Sequence, residues 1–278
     1  MNASSNHINK EPSLRKHFEI DRLKETIRPV IAENFVLEDQ KIDTLTTFEI
    51  VHQEISLIRT PLAFLREYNM AGIEKKTTTL QLQLGLSWNG YQDAIELLFA
   101  ISESFQRPIP IEKTINITKE YDIGDVGFAW SWSVQKDPDY LAFVRNNILV
   151  NLQGNNVQSL LITIAKDIDN TLTRLKTTDH YQEDPKGIFL KLKEKIGDHP
   201  NVPAGGTLTI GPIPCEKVGN RHFLFFFTPS GSINRDRTQP EIWYYRAGME
   251  EKEQEIILFR GMSGILPLKD RLIISVHK

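Results

Sequence analysis

The 278-residue chain has a single cysteine, Cys215, which excludes an intrachain disulfide and any cysteine-rich metal site. It has no long apolar run either. No stretch approaches the roughly 20 residues that a membrane-spanning helix needs, so no membrane span is expected. Met1 to Pro12 is polar and lacks the apolar centre of a secretory leader. Those absences together predict a cytoplasmic protein. A surplus of one charge is also missing: 33 basic residues stand against 36 acidic ones, for a net charge of -3. With a pI near 6.2, nothing here predicts a nucleic-acid partner. The seven histidines show no i, i+4 pair and no HExxH pattern. A Walker A loop, a GxGxxG turn and an RNP motif are absent. Gly261-Met262-Ser263-Gly264 falls one residue short of a nucleophile elbow and reads as a turn. No cofactor is expected.

What the chain does contain is well patterned. Leu80, Leu82, Leu84 and Leu86 alternate with Thr79, Gln81, Gln83 and Gly85, predicting a strand over 77–88 that ends at Asn89-Gly90. A helix is expected over 92–105, with Ala94, Leu97, Leu98, Ile101 and Phe105 inward. A short strand at 114–118 leads into Asp122 to Ser133. Two strands then flank Asn146-Asn147, a pair suited to a type I′ turn. On the returning strand Ile148, Val150 and Leu152 share one face, while Asn151 and Gln153 point the other way. Leu160, Leu161, Ile164, Ile168, Leu172 and Leu175 recur at spacings of three and four, which predicts an amphipathic helix. Lys166, Asp167, Asp169 and Arg174 fall off that stripe.

Upstream, residues 1–12 are expected to be disordered. A first helix is predicted from Leu14, Phe18, Leu23 and Ile27, one or two strands over 46–59, and a helical turn over 62–68. Downstream, Asp184-Pro185-Lys186-Gly187 reads as a linker, residues 189–196 as a brief helix and 198–206 as a loop. From Thr207 only strand signals follow, over 207–210, 222–228, 241–246, 255–260 and 271–277, as in a small antiparallel sheet or sandwich. His222 to Thr228 is the most apolar of these, with Trp243-Tyr244-Tyr245 its expected partner. The fold class expected is α+β: a central antiparallel sheet with flanking helices, then a β-rich C-terminal domain. The domains are residues 13–178 and 187–278.

Residues 79–175 resemble the Mog1/PsbP-like α/β/α modules of small bacterial proteins. The resemblance lies in Ile123-Gly124-Asp125-Val126-Gly127-Phe128-Ala129, in Phe143-Val144-Arg145-Asn146-Asn147-Ile148-Leu149-Val150 and in Ile164-Ala165-Lys166-Asp167-Ile168-Asp169. It implies a sheet with helices upon it and a family of mainly non-catalytic binding or accessory proteins. It identifies no active site.

Two kinds of candidate site follow. Phe128, Trp130 and Trp132 share one strand face: exposed, they would form a platform for a partner; buried, they are core. With Trp243, Arg235 and Arg237 they make the candidate partner-binding residues. Asp122 and Asp125, three apart around Gly124, are the candidate carboxylates for a metal, with His222 as a further test position; the plain alternative is that Asp125 caps a turn. The functional expectation is a non-enzymatic binding or accessory protein acting through protein–protein contacts or self-association in a bacterial system. The alternative is a metal-dependent hydrolase or nuclease.

Overall fold

A computed structural model of the chain describes residues 14–20, 30–32, 35, 37–59, 62–87, 91–103, 109, 111–131, 137–178, 188–212, 217–218, 221–222, 224–228, 231–239, 241–250, 252–262 and 265–278. They form two compact units, residues 1–32 with 37–179 and residues 33–36 with 180–278. Residues 1–12, the first helix beyond residue 20, the Asn89-Gly90 turn, Trp132, the 184–187 linker and Cys215 lie outside the described residues, as does the side chain of His222.

The N-terminal unit is mixed α/β and dominated by one large antiparallel sheet. A minor pair, β1 (Ile31–Ala32) with β9 (Thr177–Thr178), accompanies it. The main sheet comprises β2 (Phe48–Arg59), β3 (Leu62–Gly72), β4 (Thr79–Ser87), β5 (Thr114–Asn116), β6 (Val126–Trp130), β7 (Tyr140–Arg145) and β8 (Ile148–Asn155). Its seven strands run in the order β2-β3-β4-β8-β7-β6-β5. Two meanders therefore meet at the β4–β8 pair: the chain climbs β2, β3 and β4, crosses to the far edge, and returns through β5 to β8.

The period-two pattern decides which face each residue serves. Val126, Phe128, Trp130, Tyr140, Ala142, Val144 and Leu149 turn to one face beneath the Tyr91–Glu103 helix, which adds Ala94, Ile95, Leu97, Leu98 and Phe99 to the same core. Gly85 permits that approach, because a Cβ there would lie 2.7 Å from Leu97 Cδ2. On the opposite face the Gln158–Thr173 helix packs against β7 and β8. Its buried stripe is Leu161, Ile164, Ala165, Ile168, Asp169 and Leu172. Leu160 is exposed rather than inward, and Asp169 is buried rather than solvated.

Several local expectations give way to tertiary pairing. Residues 62–68 are no helical turn; they belong to β3, which is hydrogen-bonded along both edges, to β2 and to β4. The 114–118 strand stops at Asn116, whose side chain accepts from the Lys119 N–H and caps a short helix, Ile117–Tyr121. At the β7–β8 turn only Asn146 has positive φ, at 56°, so the turn is not type I′, which needs two such residues. Asn147 is instead buried, accepting from the Ala32 N–H and donating to the Ser87 carbonyl.

The C-terminal unit is rich in strands. β10 (Asn201–Pro203) lies within the stretch read as a loop, because it pairs in parallel with β18 (Ile265–His277). One sheet has the order β10-β18-β17-β14, with β17 at Glu253–Met262 and β14 at Leu224–Phe227. A second has the order β11-β16-β15, with β11 at Thr207–Ile210, β16 at Trp243–Arg246 and β15 at Ser232–Arg235. β12 (Lys217–Val218) and β13 (Arg221–His222) form a small separate pair. The two larger sheets share one core containing Ile210, Trp243, Tyr245, Ile256, Leu272 and Ile274, with Leu192 from the Ile188–Ile196 helix. One expectation is corrected here. The 243–246 strand pairs with β11 and β15, not with the apolar 224–227 strand, whose partner is β17. Arg235 sits at the end of β15. Among the described residues no helix is long and apolar enough to cross a membrane.

Candidate functional site

The face that carries the Tyr91–Glu103 helix is not apolar along its whole length. Cross-strand register sets Glu67, Gln83 and Asn151 in one row across β3, β4 and β8, and Asn69, Gln81 and Gln153 in the next. The rows continue onto the edge strand β2 as Glu54 and His52. Such polar side chains on a sheet are stable only when they satisfy one another.

They do so around a single carboxylate. Glu67 accepts from Gln81 Nε2 at 2.7 Å, from Gln83 Nε2 at 2.8 Å and, at the limit of a hydrogen bond, from Asn69 Nδ2 at 3.4 Å. Gln83 Oε1 in turn accepts from Asn151 Nδ2 at 2.9 Å, and Gln81 Oε1 accepts from Gln153 Nε2. Two amide chains thus run from Glu67 across β4 to β8. The Gln83 bond is the largest cause holding the Glu67 carboxyl below its ordinary range, aided by Gln81, Asn69 and the nearby His52 charge and opposed by burial.

Beside these rows lies an open cavity of about 900 Å³, lined among others by Asn69, Gln81, Gln153, Asp139 and Gln158, with Val51 at its edge. Val51 is two-thirds exposed, at the point where the β2–β3 register shifts by a bulge. Asp139 accepts from Ser131 Oγ at 2.9 Å and from Gln158 Nε2 at 3.4 Å. No lysine or arginine is among the described lining residues.

Because the folded-state pKa of Glu67 is depressed, its contribution to stability is complete above the ordinary glutamate value of 4.5 and is lost as pH falls through the lowered one. Glu67→Gln is expected to cost about 1 kcal/mol at neutral pH, a modest figure for charged hydrogen bonds at a part-exposed site. The gap between variant and wild type should close as the medium is acidified below pH 4.5, read by urea unfolding across pH.

The residues expected from sequence lie elsewhere. Trp130 is fully buried, 3.8 Å from Tyr140 between ring centroids, so it offers no platform to a partner. Trp243 is 6 % exposed and covered by the Arg235 guanidinium, 4.5 Å above its ring, which removes it as an open contact surface as well. Arg237 is exposed. Its neighbour Asp236 ties down the turn by accepting from the Gln239 and Thr238 N–H groups and from the Thr238 and Tyr244 hydroxyls, which lower its pKa to about 2.

Asp122 and Asp125 are not brought together as a pair of ligands. Asp122 is an exposed helix C-cap with φ 58°. Asp125 accepts from Arg145 Nη1 and from the Asn146 N–H, both at 2.7 Å. Arg145 also donates twice to Asp169, at 2.7 Å each, and the same aspartate accepts from the Gly124 N–H at 3.0 Å. Gly124 has φ +71°, and a Cβ there would lie 2.9 Å from Phe143. This cluster joins a strand entry, a hairpin turn and the Gln158–Thr173 helix. Among the described residues, no group of three or more histidine, cysteine, aspartate or glutamate side chains is placed to hold a metal ion.

Sequence reasoning separated Gln81 and Gln83 from the leucines of their strand, and Asn151 and Gln153 from theirs. It missed Glu67, the centre of the array, and Asn69. The signal was present: Glu67 and Asn69 are two apart, the spacing of one strand face. No family model matches this chain, and no curated protein or solved structure matches it.

Proposed function

We propose that the protein is a non-enzymatic binding or accessory protein, and that its N-terminal unit receives a protein partner at the polar cavity beside Gln81 and Gln153. One observation carries this reading. An open cavity of about 900 Å³ borders a floor of amides already ordered by a shared carboxylate. Ordering such side chains in advance lowers the entropic cost of binding, since their rotamers need not be fixed when the partner arrives. The resemblance of residues 79–175 to a family of mainly non-catalytic binding modules agrees with it.

The test is capture of partners by the full chain, with crosslinks mapped by mass spectrometry, compared with Ala71→Trp. Ala71 lines the cavity outside the amide chains, so tryptophan there fills space without removing a hydrogen bond of the array. A stoichiometric partner crosslinked to β2, β3 or β4, and lost at least tenfold with Ala71→Trp, is the expected result (about 1.4 kcal/mol). Full retention by the variant, or no stoichiometric partner at all, overturns the proposal.

A further inference from the structure

The hydrogen-bond directions within the array define what the cavity accepts. An ionised carboxylate has no proton to donate, so every group that meets Glu67 must turn its N–H toward it. Gln81 and Gln83 do so, and their oxygens consequently face away and take the N–H groups of Gln153 and Asn151. Each terminal amide spends one of its two N–H groups on the chain and keeps the other together with its oxygen. At Asn151, outside the described lining of the cavity, that oxygen is buried. The residue is 4 % exposed, and its Oδ1 has no hydrogen-bond partner. Asn69 also spends an N–H on Glu67, and Gln158 spends one on Asp139. Asn69, Gln153 and Gln158 line the cavity together with the Asp139 carboxylate. The described lining thus carries one carboxylate and neither lysine nor arginine.

Resting on the reading above, we infer that this cavity selects a cationic hydrogen-bond donor, an alkylammonium or guanidinium group, either free or at the tip of a partner's lysine or arginine side chain. Such a group brings three to five N–H donors and no acceptor, the complement of amide oxygens and a carboxylate. A neutral isostere would leave those acceptors without a charged partner, and an anion would be repelled by Asp139 and Glu67.

The experiment is calorimetric titration of the full chain with blocked arginine and lysine amides, their citrulline and norleucine isosteres, and blocked glutamate amide. The same residues are also presented at the centre of a flexible Gly/Ser peptide. Amide shifts of Gln81 and Gln153, followed by NMR, report where each probe sits. Cationic probes are expected to bind at the cavity at least tenfold more tightly than their neutral isosteres. Two variants, Glu67→Gln and Asp139→Asn, should each erase most of that preference while the circular dichroism spectrum stays unchanged. Glu67→Gln is informative because its new N–H₂ forces one neighbouring amide to reverse, which turns an outward acceptor into a donor. Preference for peptides over free amides identifies a partner's side chain as the source; equal binding identifies a small amine. Citrulline, norleucine or glutamate probes binding the cavity as tightly as the cations would overturn the selectivity while the binding reading stood. If no probe shifts either glutamine, the inference falls, while the reading itself is decided by the Ala71→Trp comparison.

Discussion

Asp169→Ala is expected to destabilise the N-terminal unit by about 3–5 kcal/mol, the range for removing one partner of a desolvated ion pair. Both Arg145 bonds to this carboxylate are 2.7 Å long, and the two side chains are only 20 % and 6 % exposed, so solvent cannot replace what is lost. The Gly124 N–H loses its acceptor in the same step. Asp125 remains beside Arg145 but is already engaged by the Asn146 N–H, and its single contact to Nη1 does not restore the fork. Urea unfolding of wild type and variant measures the difference. A loss below 1 kcal/mol would mean that the cluster is solvated and that the helix is held by its apolar stripe alone. Asp169→Asn should recover part of the loss, since one amide oxygen can still accept from Gly124 or Arg145.

Trp130→Ala should be of similar size, about 3–5 kcal/mol, from lost burial plus the cavity left behind. The indole is fully enclosed, packed on Tyr140 and 5.9 Å from the Phe128 ring, within the core capped by the Tyr91–Glu103 helix. Strands from both sides of the hole are tied into the sheet, so it cannot collapse far. The same variant separates core from contact surface. Partner affinity at a temperature where the variant is folded should be unchanged, whereas a surface platform would show the reverse: binding lost and stability kept. Denaturant unfolding and a binding titration on one sample give both numbers.

The comparison of Trp130 with Glu67 shows where sequence stops informing. Alternation placed Phe128 and Trp130 on a common face, and that is where they lie; whether the face was wet or dry depended on a helix about 30 residues upstream. Glu67 was passed over because Leu62 to Tyr68 reads as a short apolar turn in isolation. Only pairing on both edges makes it a strand, and only then does the two-residue spacing of Glu67 and Asn69 acquire meaning. Asp169 was a near miss. It flanks the buried stripe, four residues after Ala165 and three before Leu172, so the helical period allowed it inside. A carboxylate is placed outside by default, and nothing nearby in the chain announces Arg145 as its counter-ion.

The sequence by itself determined the sheet-and-helix character of the first unit, an amphipathic helix read from Leu160 to Leu175, the split of β4 and β8 into apolar and polar faces, and the strand-rich second unit. These are local properties, carried by period and by turn chemistry over a dozen residues. The tertiary structure alone decided the strand order, the burial of Trp130 and Trp243, and the assembly of the amide chains. Those chains join Gln83 to Asn151 and Gln81 to Gln153 across 68 and 72 residues of chain. Contacts at that separation follow from which strands pair, and pairing is settled by the collective burial of the two sheet faces rather than by any one segment's preference.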